Sequence, residues 1–129
     1  MSNQSVVYIA GKYTDESHDQ VFENIYLARR FAKMYWRKGY AVICPHTSTS
    51  FMDGITGKYC PFIEGDLTIL SRLSKEKGDF IAVLPNYETS KGTKGEIKFA
   101  KDKGLEVLYP SLEELIMFEK NWENGRKNV

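Results

Sequence analysis

The sequence predicts an α/β fold: one domain built on a mainly parallel sheet of four or five strands, with helices on both faces. Three observations carry that expectation. Apolar, β-branched runs at residues 6–10, 40–44, 80–84 and 105–109 lack the strict alternation of a half-exposed strand, so they read as strands covered on both sides. Between them lie segments whose apolar residues recur at helical spacing. A chain of 129 residues buries roughly two-thirds of its unfolded surface as one domain and leaves no room for a second.

Val6 to Ala10 reads as the first parallel strand, ending at Gly11. Thr14, Asp15 and Ser17 are alternative caps for a helix whose buried stripe is Val21, Ile25, Ala28, Ala32 and Tyr35 and which ends at Gly39. A second strand, 40–44, stops at Pro45 and completes a right-handed βαβ unit. Residues 45–65 show no clear period, as expected of a binding loop or lid. From Pro61 a helical pattern begins, with Ile63, Leu67, Leu70 and Leu73 as its buried stripe and Asp66 beside it. Residues 74–78 read as an exposed connection. Asp79 opens the third strand, a helix over about 93–103 closes at Gly104, and a fourth strand follows at 105–109. Pro110 and Ser111 start a last helix carrying Leu112, Leu115, Ile116 and Glu119, and the polar residues 124–129 are expected to fray. This alternation describes a flavodoxin- or Rossmann-like three-layer sandwich, with a crevice at the carboxyl ends of its strands.

Composition narrows the classes of function. With 42% hydrophobic and 27% charged residues the chain is of ordinary globular type, and 18 basic against 17 acidic side chains create no net field for a polyanion. Neither a nucleic-acid polymer nor a membrane is an expected partner. The first apolar run is too short for a signal peptide, and no run approaches the ~20 residues of a membrane span. Cys44 and Cys60 lack a CxxC spacing and sit in or beside apolar stretches, so they read as buried free thiols of a cytoplasmic protein.

Three loops, 11–15, 45–49 and 85–96, converge on the crevice. Glu96 stands near the start of the helix after the third strand, where α/β proteins place their chemistry. Thr93-Lys94-Gly95-Glu96 equally fits a capping box, with Glu96 returning a hydrogen bond to the helix start. Asp66 suits either a solvated helix start or a catalytic carboxyl, and His46 either a plain loop or a binding residue. Ser90 to Gly95 can cradle a phosphate on backbone amides or form an ordinary turn. Gly57-Lys58 is followed by Tyr59, so it is no Walker motif, and Cys44, His46 and Cys60 match no zinc spacing. Neither a metal nor another cofactor is expected.

Read in order, Tyr8-Ile-Ala-Gly11, a helix with Asn24 and Ala28, Gly39-Tyr40-Ala-Val, Pro45-His46, Asp66-Leu67, Asp79-Phe-Ile-Ala-Val-Leu-Pro and Ser90-x-Gly92-Thr-x-x-Glu96-x-x-x-Ala100 resemble the nucleoside 2-deoxyribosyltransferase superfamily. The likeness runs from Tyr8 to about Tyr109 and is greatest to small bacterial and phage members and to 2'-deoxynucleoside 5'-phosphate N-hydrolases. The resemblance implies that Glu96 is the nucleophile at the anomeric carbon, that Asp66 assists at the base or positions the nucleophile, and that Tyr8 lies beside the nucleophile and sugar. Six residues before the nucleophile the transferases carry an aspartate and the nucleotide hydrolases a phosphate-binding serine; this chain has Ser90. Gly11, Lys12, Tyr13, His46, Gly92 and Thr93 complete the implied substrate site, with Lys12 as a phosphate-binding cation where the transferases have proline. A homodimer or higher homo-oligomer follows from the resemblance alone, and no residue of 113–122 matches the one a neighbouring subunit contributes in that family.

Cleaving an N-glycosidic bond builds positive charge on the sugar, which an ionised carboxylate stabilises and traps as a glycosyl-enzyme. Glu96 is therefore expected to be charged, favoured by a helix N-terminus, and Asp66 to have a raised pKa and act as the acid. A separation of ~5 Å between them would match retaining glycosidases. The expected activity is an N-glycosidase acting on a (2'-deoxy)nucleoside 5'-monophosphate. Two alternatives use the same crevice: a deoxyribosyltransferase on free nucleosides, and a module that sequesters a nucleotide-derived signal without turnover.

Overall fold

The computed structural model of the protein describes residues 4–49 and 61–127. Its strands are β1 (Val6–Ala10), β2 (Ala41–Ile43), β3 (Phe80–Val83) and β4 (Glu106–Leu108). The helices are α1 (His18–Arg37), α2 (Pro45–Ser48, one turn), α3 (Pro61–Ser71), α4 (Lys91–Lys103) and α5 (Leu112–Lys127), with short 3-10 turns at Lys75–Lys77 and Tyr87–Thr89. All four strands run parallel in the order β2-β1-β3-β4. The domain is thus α/β with a flavodoxin-like sheet order, and the crossovers leave β1 in opposite directions. The gap above β1 and β3 is the switch point at which such sheets bind ligands.

Period-two alternation divides the two strands flanking that gap between two cores. Val7 and Ile9 of β1, with Phe80, Ala82 and Leu84, pack against Ala28, Phe31 and Tyr35 of α1 and Leu115 of α5. Tyr8 and Ala10, with Ile81 and Val83, pack against Leu70 and Leu73 on and after α3 and Ile97 and Ala100 of α4. Tyr8 therefore belongs to the α3–α4 face, where it is fully buried.

Ser17, of the three candidate caps, starts α1: its Oγ accepts the Gln20 N–H at 3.3 Å. Lys38 caps the other end and Gly39 turns away at φ +100°. Four of the five expected stripe residues are buried, and Ile25 only half so. Asn24, Phe31 and Met34 join them. Arg30 grips Glu119 through two nitrogens, at 2.6 and 3.0 Å, and so ties α1 to α5.

Several expectations need correction. Residues 45–48 form a helical turn rather than loop, because Thr47, Ser48 and Thr49 hydroxyls bond back to the carbonyls of Cys44 and Pro45. Residues 50–60, the middle of the expected lid, lie outside the described residues, and so does Cys60. Ile63 is exposed, since the face of α3 that meets the sheet carries Leu70 and ends at Leu73 instead. α4 begins at Lys91 rather than Thr93, and α5 continues to Lys127 where fraying was expected. Leu112 and Ile116 are exposed; Leu115 alone of the expected trio is buried. Cys44 is a buried free thiol, as the sequence suggested, and burial raises its pKa. No helix among the described residues is long and apolar enough to cross a membrane.

The sheet's amino-terminal edge is held by Asp79, a buried carboxylate. It accepts the Val6 N–H on one oxygen and the Ser74 N–H on the other, each at 2.8 Å. Asp79→Ala strands both donors and is expected to lower unfolding free energy by about 2–4 kcal/mol. Asp79→Asn, keeping one acceptor, should lose less. Urea titration of the three proteins measures the difference.

Candidate active site

The loops after β1 and β3, the turn α2, the first half of α3 and one side of α4 as far as Asp102 line a cleft of about 1160 Å³ at the switch point. Gly11, Lys12 and Tyr13 enter it from β1, His46 from α2, Asp66 from α3, and Ser90, Gly92, Thr93 and Glu96 from α4. Tyr8 lies beneath, with its hydroxyl donating to Glu96 Oε2. All ten residues singled out in the sequence thus meet at one place.

Glu96 reaches the cleft floor because α4 starts one turn fraction earlier than the sequence suggests. Ser90 is the N-cap: its Oγ accepts the Thr93 N–H at 3.1 Å and lies 2.8 Å from Thr93 Oγ1. The capping box at Thr93 is not formed. With no acidic residue in the first turn, Glu96 falls in the second, off the helix end and free to bond Tyr8. Its neighbours Gly92 and Gly95 leave the helix backbone bare, since an added Cβ would meet nothing within 4 Å among the described residues.

The raised pKa expected of Asp66 is present, whereas the protonation of Glu96 departs from expectation. Burial raises Glu96 to about 7, with Asp66's charge adding to the rise and the Tyr8 hydrogen bond opposing it. Burial alone raises Asp66 to about 6. A Glu96 held fully ionised by a helix N-terminus is therefore not what forms; beyond the first turn the dipole and its free N–H groups have faded. Tyr8 stays a neutral donor, because burial and the neighbouring Glu96 both raise its pKa. One proton is shared over two carboxyls near neutrality, a pair suited to acid, base and nucleophile roles.

A family model described as "Domain of unknown function (DUF4406)" matches residues 5–109, which takes in every one of these site residues. The chain belongs to the DUF4406 family. No curated protein matches it. In this DUF4406 domain the opposite wall of the cleft is built from polar contacts that span distant parts of the chain. Lys12 pairs with Asp15 at 3.3 Å, so its ammonium is held at the rim. His46 is buried, its Nε2 lies 3.0 Å from the Lys12 carbonyl, and its ring meets Tyr13 edge-on. Because a carbonyl only accepts, Nε2 carries the proton and Nδ1 is left a buried acceptor without a partner among the described residues. Burial lowers the His46 pKa, which keeps the ring neutral.

Asn86 and Asn24 escaped the sequence reading as site residues. Asn86 Oδ1 accepts the Lys12 N–H at 3.1 Å, and Asn24, buried in α1, donates to the Tyr13 carbonyl at 3.2 Å. The nearest signal was an asparagine on the inner side of α1, in register with the apolar stripe, where a polar residue needs partners.

Proposed function

We propose that the protein is an N-glycosidase that hydrolyses the base–sugar bond of a (2'-deoxy)nucleoside 5'-monophosphate, in the manner of the nucleoside 2-deoxyribosyltransferase superfamily that its motifs resemble. The observation that carries this reading is the Tyr8–Glu96 hydrogen bond on the floor of a cleft that Asp66 also lines. Glu96 in its ionised form attacks the anomeric carbon as the C–N bond breaks, and the base leaves with a proton from Asp66. The reactive form is thus the less populated one, with the pair's single proton on Asp66 rather than Glu96. Tyr8, whose hydroxyl has no ionised form near neutrality, orients the attacking carboxylate. Water then adds to the glycosyl carbon and releases Glu96, its proton returning to the carboxyl pair.

The phosphate end is assigned to the start of α4. In the Ser90–Thr93 pair one hydroxyl donates to the other, which leaves one hydroxyl hydrogen for an anion beside the bare backbone at Gly92. A homodimer or higher homo-oligomer is part of the same reading.

The test is chromatography of free base after incubation with a panel of nucleosides and their 5'-monophosphates. Base release from a monophosphate, and none from the nucleoside, is the expected outcome. Base exchange between two free bases would instead make the protein a transferase. Tight binding of an intact nucleotide without release, unaltered by Glu96→Gln, would make it a sequestering module.

A further inference from the structure

The segment Lys12–Tyr13 forms a thin wall between the cleft and a second, polar cavity of about 500 Å³. That cavity is lined by Lys12, Asp15, Gln20, Asn24 and Asn86. With space on both sides, such a wall gains less from packing than a core strand does, and polar contacts decide where it stands. Three side chains from three other elements hold three successive peptide groups of it. Asn86, in the loop after β3, takes the Lys12 N–H; His46, from α2, gives a proton to the Lys12 carbonyl; Asn24, from α1, donates to the Tyr13 carbonyl. Asn24 and Asn86 also face each other at 3.4 Å, and Gln20 donates to Asn24 at 2.9 Å.

Next to this clamp, Gly11 lies against Leu84. A Cβ on Gly11 would come within 2.7 Å of the Leu84 side chain, so no larger residue fits between the loop after β1 and the one after β3. From Asn86 the chain runs through the turn Tyr87–Thr89 to the cap Ser90 and on to Glu96. The wall that meets the ligand and the helix that carries the carboxyl are therefore fastened at one point.

We propose that Asn86, together with Asn24 and His46, is a positioning residue that fixes the Lys12–Tyr13 wall in register with α4, so that a ligand seated on the wall is presented to Glu96. The presentation rests on the glycosidase reading; the fixing of the wall does not. Asn86 touches no ligand from its place on the second cavity. Its effect passes through one backbone hydrogen bond and the carbonyl grips beside it.

The experiment compares wild type, Asn86→Leu and Asn86→Asp, the last keeping the acceptor oxygen for the Lys12 N–H. Native-state hydrogen exchange by NMR should show the Lys12 amide exchanging about tenfold or more faster in Asn86→Leu, roughly the worth of one hydrogen bond. Amides of the β1–β3 pair should be unaffected, and Asn86→Asp should restore slow exchange at Lys12. With the monophosphate that wild type cleaves fastest, Asn86→Leu should raise KM by more than it lowers kcat, and Asn86→Asp should recover the KM. Unchanged exchange at Lys12 overturns the proposal, and so does an equal acceleration throughout β1 and β3, which would make Asn86 a stability residue only. A shift at Lys12 without a change in KM leaves the clamp but overturns its role in presentation. If wild type releases no base at all, the glycosidase reading fails while the exchange data still decide whether the wall is positioned by Asn86.

Discussion

On the proposed glycosidase reading, Glu96→Gln is expected to lower base release by about a thousandfold or more, as loss of a covalent nucleophile does. The same change should make the protein more stable at pH 8. The Glu96 carboxyl ionises at about 7 in the fold against 4.5 for a free glutamate, mainly because it is buried. A carboxyl with a raised folded pKa supports the fold fully below its unfolded value, and that support is lost as pH rises through the folded one. Glutamine carries no charge to bury and still offers an oxygen to the Tyr8 hydroxyl. The gain is on the order of 2–3 kcal/mol at pH 8 and vanishes at pH 4, below the ionisation of both states. Denaturant titrations of the two proteins at both pH values decide the matter; equal differences at pH 4 and pH 8 would show that Glu96 is not a buried acid.

The second large effect concerns pH and rate. With Asp66 titrating at about 6 and Glu96 at about 7, the pair holds a single proton only in a narrow window. Base release that needs one carboxylate and one carboxylic acid should follow a bell with its maximum near pH 6.5, falling on both sides. The two limbs belong to the pair, and substitution separates them. Tyr8→Phe removes the hydrogen bond that lowers the Glu96 pKa, so the alkaline limb, which the higher-titrating Glu96 sets, should move to higher pH while the acid limb stays near 6. Asp66→Asn leaves Glu96 as the one ionisation of the pair, so the alkaline limb disappears, a single rise governed by Glu96 remains, and the rate drops by about 10²–10⁴. One limb displaced by the first substitution and one abolished by the second are a signature that general destabilisation would not produce. kcat/KM profiles of the three proteins measure them.

Much of the architecture was legible because it depends on local pattern. Continuous apolar runs located the strands within a residue or so, and Gly39 and Gly104 marked the ends of α1 and α4 through their positive φ. The start of α4 was harder, since Ser90 and Thr93 are both competent caps and Gly92 and Gly95 weaken the helical signal. In the fold Ser90 takes the Thr93 N–H, and Glu96 bonds the distant Tyr8 instead of the helix end. The partners of Asn86, Asn24 and His46 lie 74, 11 and 34 residues away along the chain, so no local spacing announces them. Protonation was the least legible property: the resemblance placed Glu96 and Asp66 in one site, but their pKa order follows from burial, which the sequence does not state. Ile63 failed for a related reason, as apolar residues at helical spacing on α3 serve the cleft as well as the core.

Tyr8 sits in a strand whose alternate residues face opposite layers, and this makes the site a reporter of strand register. If β1 paired with β3 one residue out of step, Val7 or Ile9 would replace the phenol above α4, and Glu96 would face hydrocarbon with no donor. A misregistered molecule would still be compact and helical. Recovery of base release after refolding would therefore count the molecules whose central strand pair has found its proper alignment, a quantity that circular dichroism and compactness do not distinguish.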